Sequence, residues 1–204
     1  MTRVACPFRF VESALRNLPI LTTLTERDVS EPFFYDVKRL PNTRRCFACG
    51  DSNPAGLQLH LRTDGRRVEA DYLPRPEHAG FTHAVHGGLI TTALDEIMAW
   101  AVIVATRRPA YSAELTVRFT HPVKVGETTL LVGELVTNRR NRLFETRSEI
   151  RNAEGVLCAT ATGKYLPLGP EDVRLALQDF PSGEFRDWLT GATAAQEGTP
   201  DPRA

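Results

Sequence analysis

The chain has 204 residues, which suits one domain with extensions and a core that stands without metal or disulfide staples. Its 25 basic and 25 acidic residues cancel, so the overall balance recruits neither nucleic acid nor an anionic membrane. The start, MTRVACPFRF, has no basic region leading into an apolar run, and the longest apolar stretch, Leu89 to Ala105, is broken by Asp95 and Glu96 and is short for a membrane span, so a cytoplasmic protein is expected.

Residues 1–45 mix short apolar runs with Pro7, Pro19, Pro32 and Pro41 and read as an N-terminal extension with one short helix near Phe10 to Leu18. The main domain is expected over 46–168. It opens on Cys46-Phe-Ala-Cys49, a metal-ligand spacing, but a structural zinc site needs four ligands and no second cysteine pair exists. His60 or His78 would complete such a site only by accident of the fold. The pair therefore reads as a turn running into Gly50-Asp51-Ser52-Asn53-Pro54, with no metal expected. Cys6 and Cys158 are too scattered to add a disulfide framework.

Leu57, Leu59 and Leu61 alternate with polar residues as in a half-buried strand, and Asp64-Gly65 turns the chain into a second strand with Val68, Ala70 and Tyr72. A loop through His78, Gly80 and His83 leads to His86-Gly87-Gly88, the start of a helix that is apolar on most faces. Arg107-Arg108-Pro109 stops it. The next strand sets Tyr111, Ala113, Leu115, Val117 and Phe119 on one face and Ser112, Glu114, Thr116 and Arg118 on the other. Three more strands, over 127–137, 143–151 and 156–166, form an antiparallel meander, with the small residues Ala159, Ala161 and Gly163 offering a helix a close approach. Residues 169–204 hold a short helix around Glu171 to Gln178 and a tail of disordered composition. Two strands, one buried helix and four strands predict an α+β fold, an antiparallel sheet of about six strands curled around the helix.

The helix carries the chemistry. Two glycines at its tip leave backbone N–H groups uncovered, and the first four amides of a helix lack partners within it, so this end can hold developing negative charge. Asp95, nine residues after His86, is an acid on an apolar helix and needs a reason. Gly88, Thr91, Thr92, Asp95 and Ala99 share a stripe, whereas Glu96 points about 100° away, so Asp95 is the acid assigned to a cleft. The Gly87 amide and Asp95 lie roughly 12 Å apart along the axis and cannot serve one carbonyl within one chain. Two copies with antiparallel helices would bring them together in two shared sites.

Three segments, CFACGDSNPAGLQL at 46–59, PEHAGFTHAVHGGLITTALDEIMAWA at 76–101 and AYSAELTVRFTHPVKVGE at 110–127, together resemble the hotdog-fold thioesterases of the phenylacetate-pathway type. The resemblance spans about 50–167. It implies that the Gly87 amide receives the thioester carbonyl, that Asp95 is nucleophile or general base, that Ser112 supplies a hydroxyl, and that the sites lie at the interface of a homodimer or a dimer of dimers. One departure stands out: some members carry an asparagine six residues before the motif histidine, where this chain has Gly80, flanked by His78 and His83.

The resulting expectation is hydrolysis of an acyl-CoA or acyl-carrier-protein thioester without metal or cofactor. Candidate substrate-binding residues are His86, whose side chain is expected to fix the turn, Gly88, Thr91, Thr92 and His78, with Arg139, Arg140 and Arg142 as the densest cations for the CoA phosphates. The alternative is a non-catalytic acyl-CoA-binding or regulatory hotdog protein. An enoyl-CoA hydratase is disfavoured because no histidine follows Asp95 before His121.

Overall fold

The computed structural model describes residues 38–180 together with Gly183, Arg186 and Leu189, all within the compact unit Tyr35–Ala204. The helix expected near Phe10 to Leu18 and the tail from Gly191 lie outside the described residues.

Seven strands form one antiparallel sheet. In chain order they are β1 (Lys38–Arg39), β2 (His60–Thr63), β3 (Arg67–Tyr72), then, after the small hairpin β4 (Ala79–Phe81) and β5 (Ala84–Val85), β6 (Ala110–Phe119), β7 (Thr129–Arg139), β8 (Leu143–Asn152) and β9 (Leu157–Pro167). Their order across the sheet is β1-β2-β3-β7-β8-β9-β6. The expected meander is β7-β8-β9, and β6 pairs with the last of its strands to form an edge.

Helix α1, Gly87–Thr106, lies on the inner face of this sheet. Length and composition alone would let it cross a membrane. Here Ile90, Leu94, Ile97, Met98 and Val102 are instead buried with Leu61, Val68, Leu131, Phe144 and Ile150 from the strands. Burial of each such side chain contributes about 1.5–3 kcal/mol, so this contact is the core of the fold. The hotdog arrangement expected above is the one observed. A short helix α2, Pro170–Ala176, follows the sheet.

Three local differences from the sequence reading have physical causes. The strand expected from Leu57 begins only at His60, because Gln58 takes φ 55° and the amides of Leu57 and Leu59 bond to Phe47 O and Ala48 O of the cysteine turn. Helix and sheet approach closely at Gly133 in β7, where a Cβ would stand 2.7 Å from Ile97 Cγ2 and 3.0 Å from its carbonyl oxygen. At Gly163 in β9 the space goes to a side chain, since a Cβ there would meet Tyr165 Cε2 at 2.6 Å. The third difference is a β-bulge in β6, described next.

Candidate active site

The helix tip is set by His86. It holds extended backbone, φ −61° and ψ 131°, and its Nδ1 accepts the Gly88 N–H at 3.0 Å, a side-chain N-cap. Gly88 makes room for this ring, because a Cβ at that position would lie 3.0 Å from Nδ1. The amides of Leu89 and Ile90 reach the His86 carbonyl. Of the amides at the tip, that of Gly87 is the one outside these bonds, and it carries the positive end of the helix dipole. Phe119, at the end of β6, lies over it, with Cζ 3.4 Å from where a Gly87 Cβ would be.

Gly80 explains itself through the same turn. A Cβ at 80 would come within 2.9 Å of His86 Cα and 3.2 Å of its Cβ, so the hairpin closes on His86 where a longer residue would push it away.

Asp95 is half-buried at mid-helix. Tyr165 of β9 donates its hydroxyl to Asp95 Oδ1 at 2.6 Å, with the backbone oxygen of Asp95 3.1 Å away, and the Ser112 side chain lies near enough to favour the carboxylate. Burial raises the Asp95 pKa above its ordinary value, and the Tyr165 bond and the nearby Ser112 side chain oppose that rise. Burial, followed by the neighbouring Asp95 charge, pushes the Tyr165 phenol well above its usual range, so it stays protonated and donates.

Ser112 reaches Asp95 because β6 breaks its alternation. Its register against β9 runs Ser112↔Tyr165 and then Glu114↔Lys164, so Ala113 is an extra residue. N-terminal to that bulge the facing of side chains inverts. Residues opposite one another in an antiparallel pair point the same way, and Tyr165 points inward. Ser112 therefore shares the helix-facing side with Leu115 and Val117, not the outer side that strict alternation assigned to it.

The two halves of the constellation meet different parts of β6, Asp95 beside Ser112 and the Gly87 tip beside Phe119. Ser112 belongs to the end where β6 starts, and Phe119, over Gly87, to the end where it stops; seven residues of strand separate them, about 23 Å. Arg139, Arg140 and Arg142 lie at the Ser112 end, since Arg139 pairs with Leu143 beside the end of β9. Arg139 is held by Glu145 at 2.7 Å, while Arg140 and Asn141 take positive φ in the tight turn, which leaves Arg140 and Arg142 exposed.

The remaining candidates fall elsewhere or are committed. Thr91 and Thr92 donate back to Gly87 O and Gly88 O at 2.9 and 3.0 Å. His78 is buried: its Nδ1 bonds the Tyr72 hydroxyl and the Arg75 amide, its carbonyl accepts the His86 N–H at 2.9 Å, and burial lowers its pKa. It braces the loop behind the helix tip.

Tyr165 escaped the sequence reading although a signal existed: it continues the inward face Ala159, Ala161, Gly163. Glu96 also has a site of its own, away from Asp95. Trp100 Nε1 donates to its Oε1 at 3.0 Å, its Oε2 is 3.6 Å from Cys46 Sγ, and burial pushes its pKa up to about 7.

Residues 83–159 match the thioesterase superfamily. No curated protein matches the chain. Among solved structures, one crystallised thioesterase superfamily protein is 25% identical, with a TM-score of 0.57 over 60% of this chain and 60% of its own, so the likeness spans less than two thirds of that protein. The E. coli PaaI protein from the phenylacetic acid degradation operon is 18% identical, TM-score 0.51, over 55% of this chain and 81% of its own. Thioesterase superfamily member 2 from Mus musculus is 21% identical, TM-score 0.50, over 55% and 84%. These last two share the fold.

Proposed function

We propose that this chain, which has the hotdog fold and whose residues 83–159 match the thioesterase superfamily, is a thioesterase that hydrolyses an acyl-CoA or acyl-carrier-protein thioester to free acid and thiol. The observation that carries the reading is a half-buried carboxylate on the central helix, Asp95, held by the Tyr165 hydroxyl and lying about 12 Å along the axis from an uncommitted helix-tip amide. One chain holds both halves but separates them. Two copies related by a two-fold axis, helices antiparallel, bring the Gly87 end of one to Asp95 of the other and complete two sites. The exposed edge strand β6, with Tyr111 and Phe119 about half exposed, suits such a pairing.

In this reading the Gly87 N–H and the helix dipole hold the thioester oxygen as negative charge builds on it. Asp95 takes the proton of an attacking water, the hydroxide adds to the carbonyl carbon, and the tetrahedral intermediate expels the thiolate, which recovers the proton. Direct attack by the carboxylate is the second route; it forms a mixed anhydride that water then opens. Neither route calls on a metal or a cofactor. Arg140 and Arg142 are the exposed cations assigned to the CoA phosphates, and the cytoplasm is the compartment assigned to the protein.

The test is thiol release from a panel of acyl-CoA and acyl-carrier-protein substrates beside Asp95→Asn. The best substrate should lose about 100-fold or more in kcat/KM in the variant. Tight acyl-CoA binding without turnover in the wild type would favour the regulatory reading instead.

A further inference from the structure

The turn Cys46-Phe-Ala-Cys49-Gly50 packs against the side of α1 that faces away from Asp95. Cys46 Sγ accepts the amides of Ala48 at 3.3 Å and Cys49 at 3.5 Å, and Gly50 N–H closes the turn on Cys46 O at 2.9 Å. Gly50 must be glycine, since a Cβ would stand 2.5 Å from Cys46 O and 2.7 Å from Cys46 N. Thr43 Oγ1 accepts the Cys46 N–H and lies 3.6 Å from Cys49 Sγ, within reach to donate to it. Backbone amides thus point at the Cys46 sulfur and a hydroxyl lies beside that of Cys49, hydrogen bonds of the kind that orient thiolate ligands.

The third group comes from the helix. Glu96 turns Oε2 toward Cys46 Sγ while Trp100 holds Oε1, and the two sulfurs and a carboxylate oxygen all lie within 4.8 Å of one another. We propose that Cys46, Cys49 and Glu96 bind one thiophilic divalent cation, zinc by the chemistry of the donors, and that this cation clamps the 42–59 loop to the central helix. The spacing fits: a tetrahedral zinc about 2.3 Å from sulfur and about 2.1 Å from oxygen sets those two ligands about 3.6 Å apart. Cys46 Sγ and Glu96 Oε2 are 3.6 Å apart. Cys49 is fully buried and Cys46 and Glu96 are intermediate; the fourth position of the tetrahedral site, which these three residues do not fill, is assigned to water. Binding displaces the two thiol protons to solvent. A disulfide between the cysteines would use neither the carboxylate nor the tryptophan that steadies it. The spacing of the cysteines is legible in the sequence, whereas the proposed third ligand is a helix residue fifty positions on that only tertiary packing brings near.

The test is metal content of the full-length chain, purified under reducing conditions without chelator and dialysed against zinc. About one zinc per chain is expected, falling below about a tenth in Cys49→Ser and in Glu96→Gln. Cobalt substitution of the wild type gives a second measurement that needs no variant to fold: an intense thiolate-to-metal band in the near ultraviolet supports the site. Wild-type protein with less than about a tenth of an equivalent of zinc, or cobalt without that band, overturns it. Full zinc retention in Glu96→Gln overturns the assignment of the third ligand. None of these readouts involves thioester turnover.

Discussion

Replacing Tyr165 by phenylalanine isolates the hydrogen bond on which the state of Asp95 depends. The ring stays in the space that Gly163 leaves for it; what disappears is the donor 2.6 Å from Oδ1. A hydrogen bond to a charged group is worth about 1.5–3 kcal/mol, and it favours the carboxylate over the carboxylic acid. If roughly 1.4 kcal/mol of that is lost selectively from the charged form, the Asp95 pKa rises by about one unit. The proposed mechanism needs the carboxylate, so the acid limb of kcat/KM against pH should move up by about one unit, with rates well above the limb little changed. Stability should fall by about 1 kcal/mol, or roughly 2–4 °C in Tm. The assay is thiol release across the acid range, with a melting curve at each pH as control for the fold. An acid limb that stays in place, or moves down, in a folded Tyr165→Phe protein would refute the argument that Tyr165 sets the charge of Asp95.

Asp95→Asn should melt higher than the wild type at neutral pH even as it loses activity. Burial raises the folded-state pKa of Asp95, so the stability tied to this group is fully present below its unfolded value of 3.8 and is lost as pH rises through the folded value. Melting temperatures followed from pH 7 downward should show the advantage of the asparagine shrinking. Gly80→Asn should reduce turnover rather than raise it, because its Cβ displaces His86 and loosens the cap on Gly88; about 1–3 kcal/mol of stability goes with it. A variant as stable and active as the wild type would show that the turn can move. Gly163→Ala sets a methyl 2.6 Å from the Tyr165 ring and about 3.1 Å from Leu115 and Thr146, and should cost about 1–3 kcal/mol by calorimetry while shifting the acid limb in the same direction as Tyr165→Phe.

The helix was legible from end to end. The glycine pair after His86 and the Arg107-Arg108-Pro109 stop mark its limits, and Arg107 closes it in the left-handed region, φ 57°. The strands β7, β8 and β9 were legible because one face of each is largely buried, which forces a period of two. The facing of Ser112 was not, since a bulge depends on pairing with β9 and leaves no mark in the period of β6 itself. Nor was the Tyr165–Asp95 contact, made across a separation of seventy residues. Glu96 could be turned away from Asp95 by helix geometry alone, but the cysteine turn it meets is fixed by tertiary packing.

The bulge at Ala113 means that β6 specifies its chemistry by counting as well as by spelling. Pairing β6 with β9 without the bulge while keeping Ala113 would leave the serine, the tyrosine and the aspartate intact yet rotate the hydroxyl to the outer face, whereas deleting Ala113 would restore regular pairing with the hydroxyl still turned to the helix. Any protein of this shape compared with this one column by column therefore needs its strand register checked before a serine at this place is equated with Ser112.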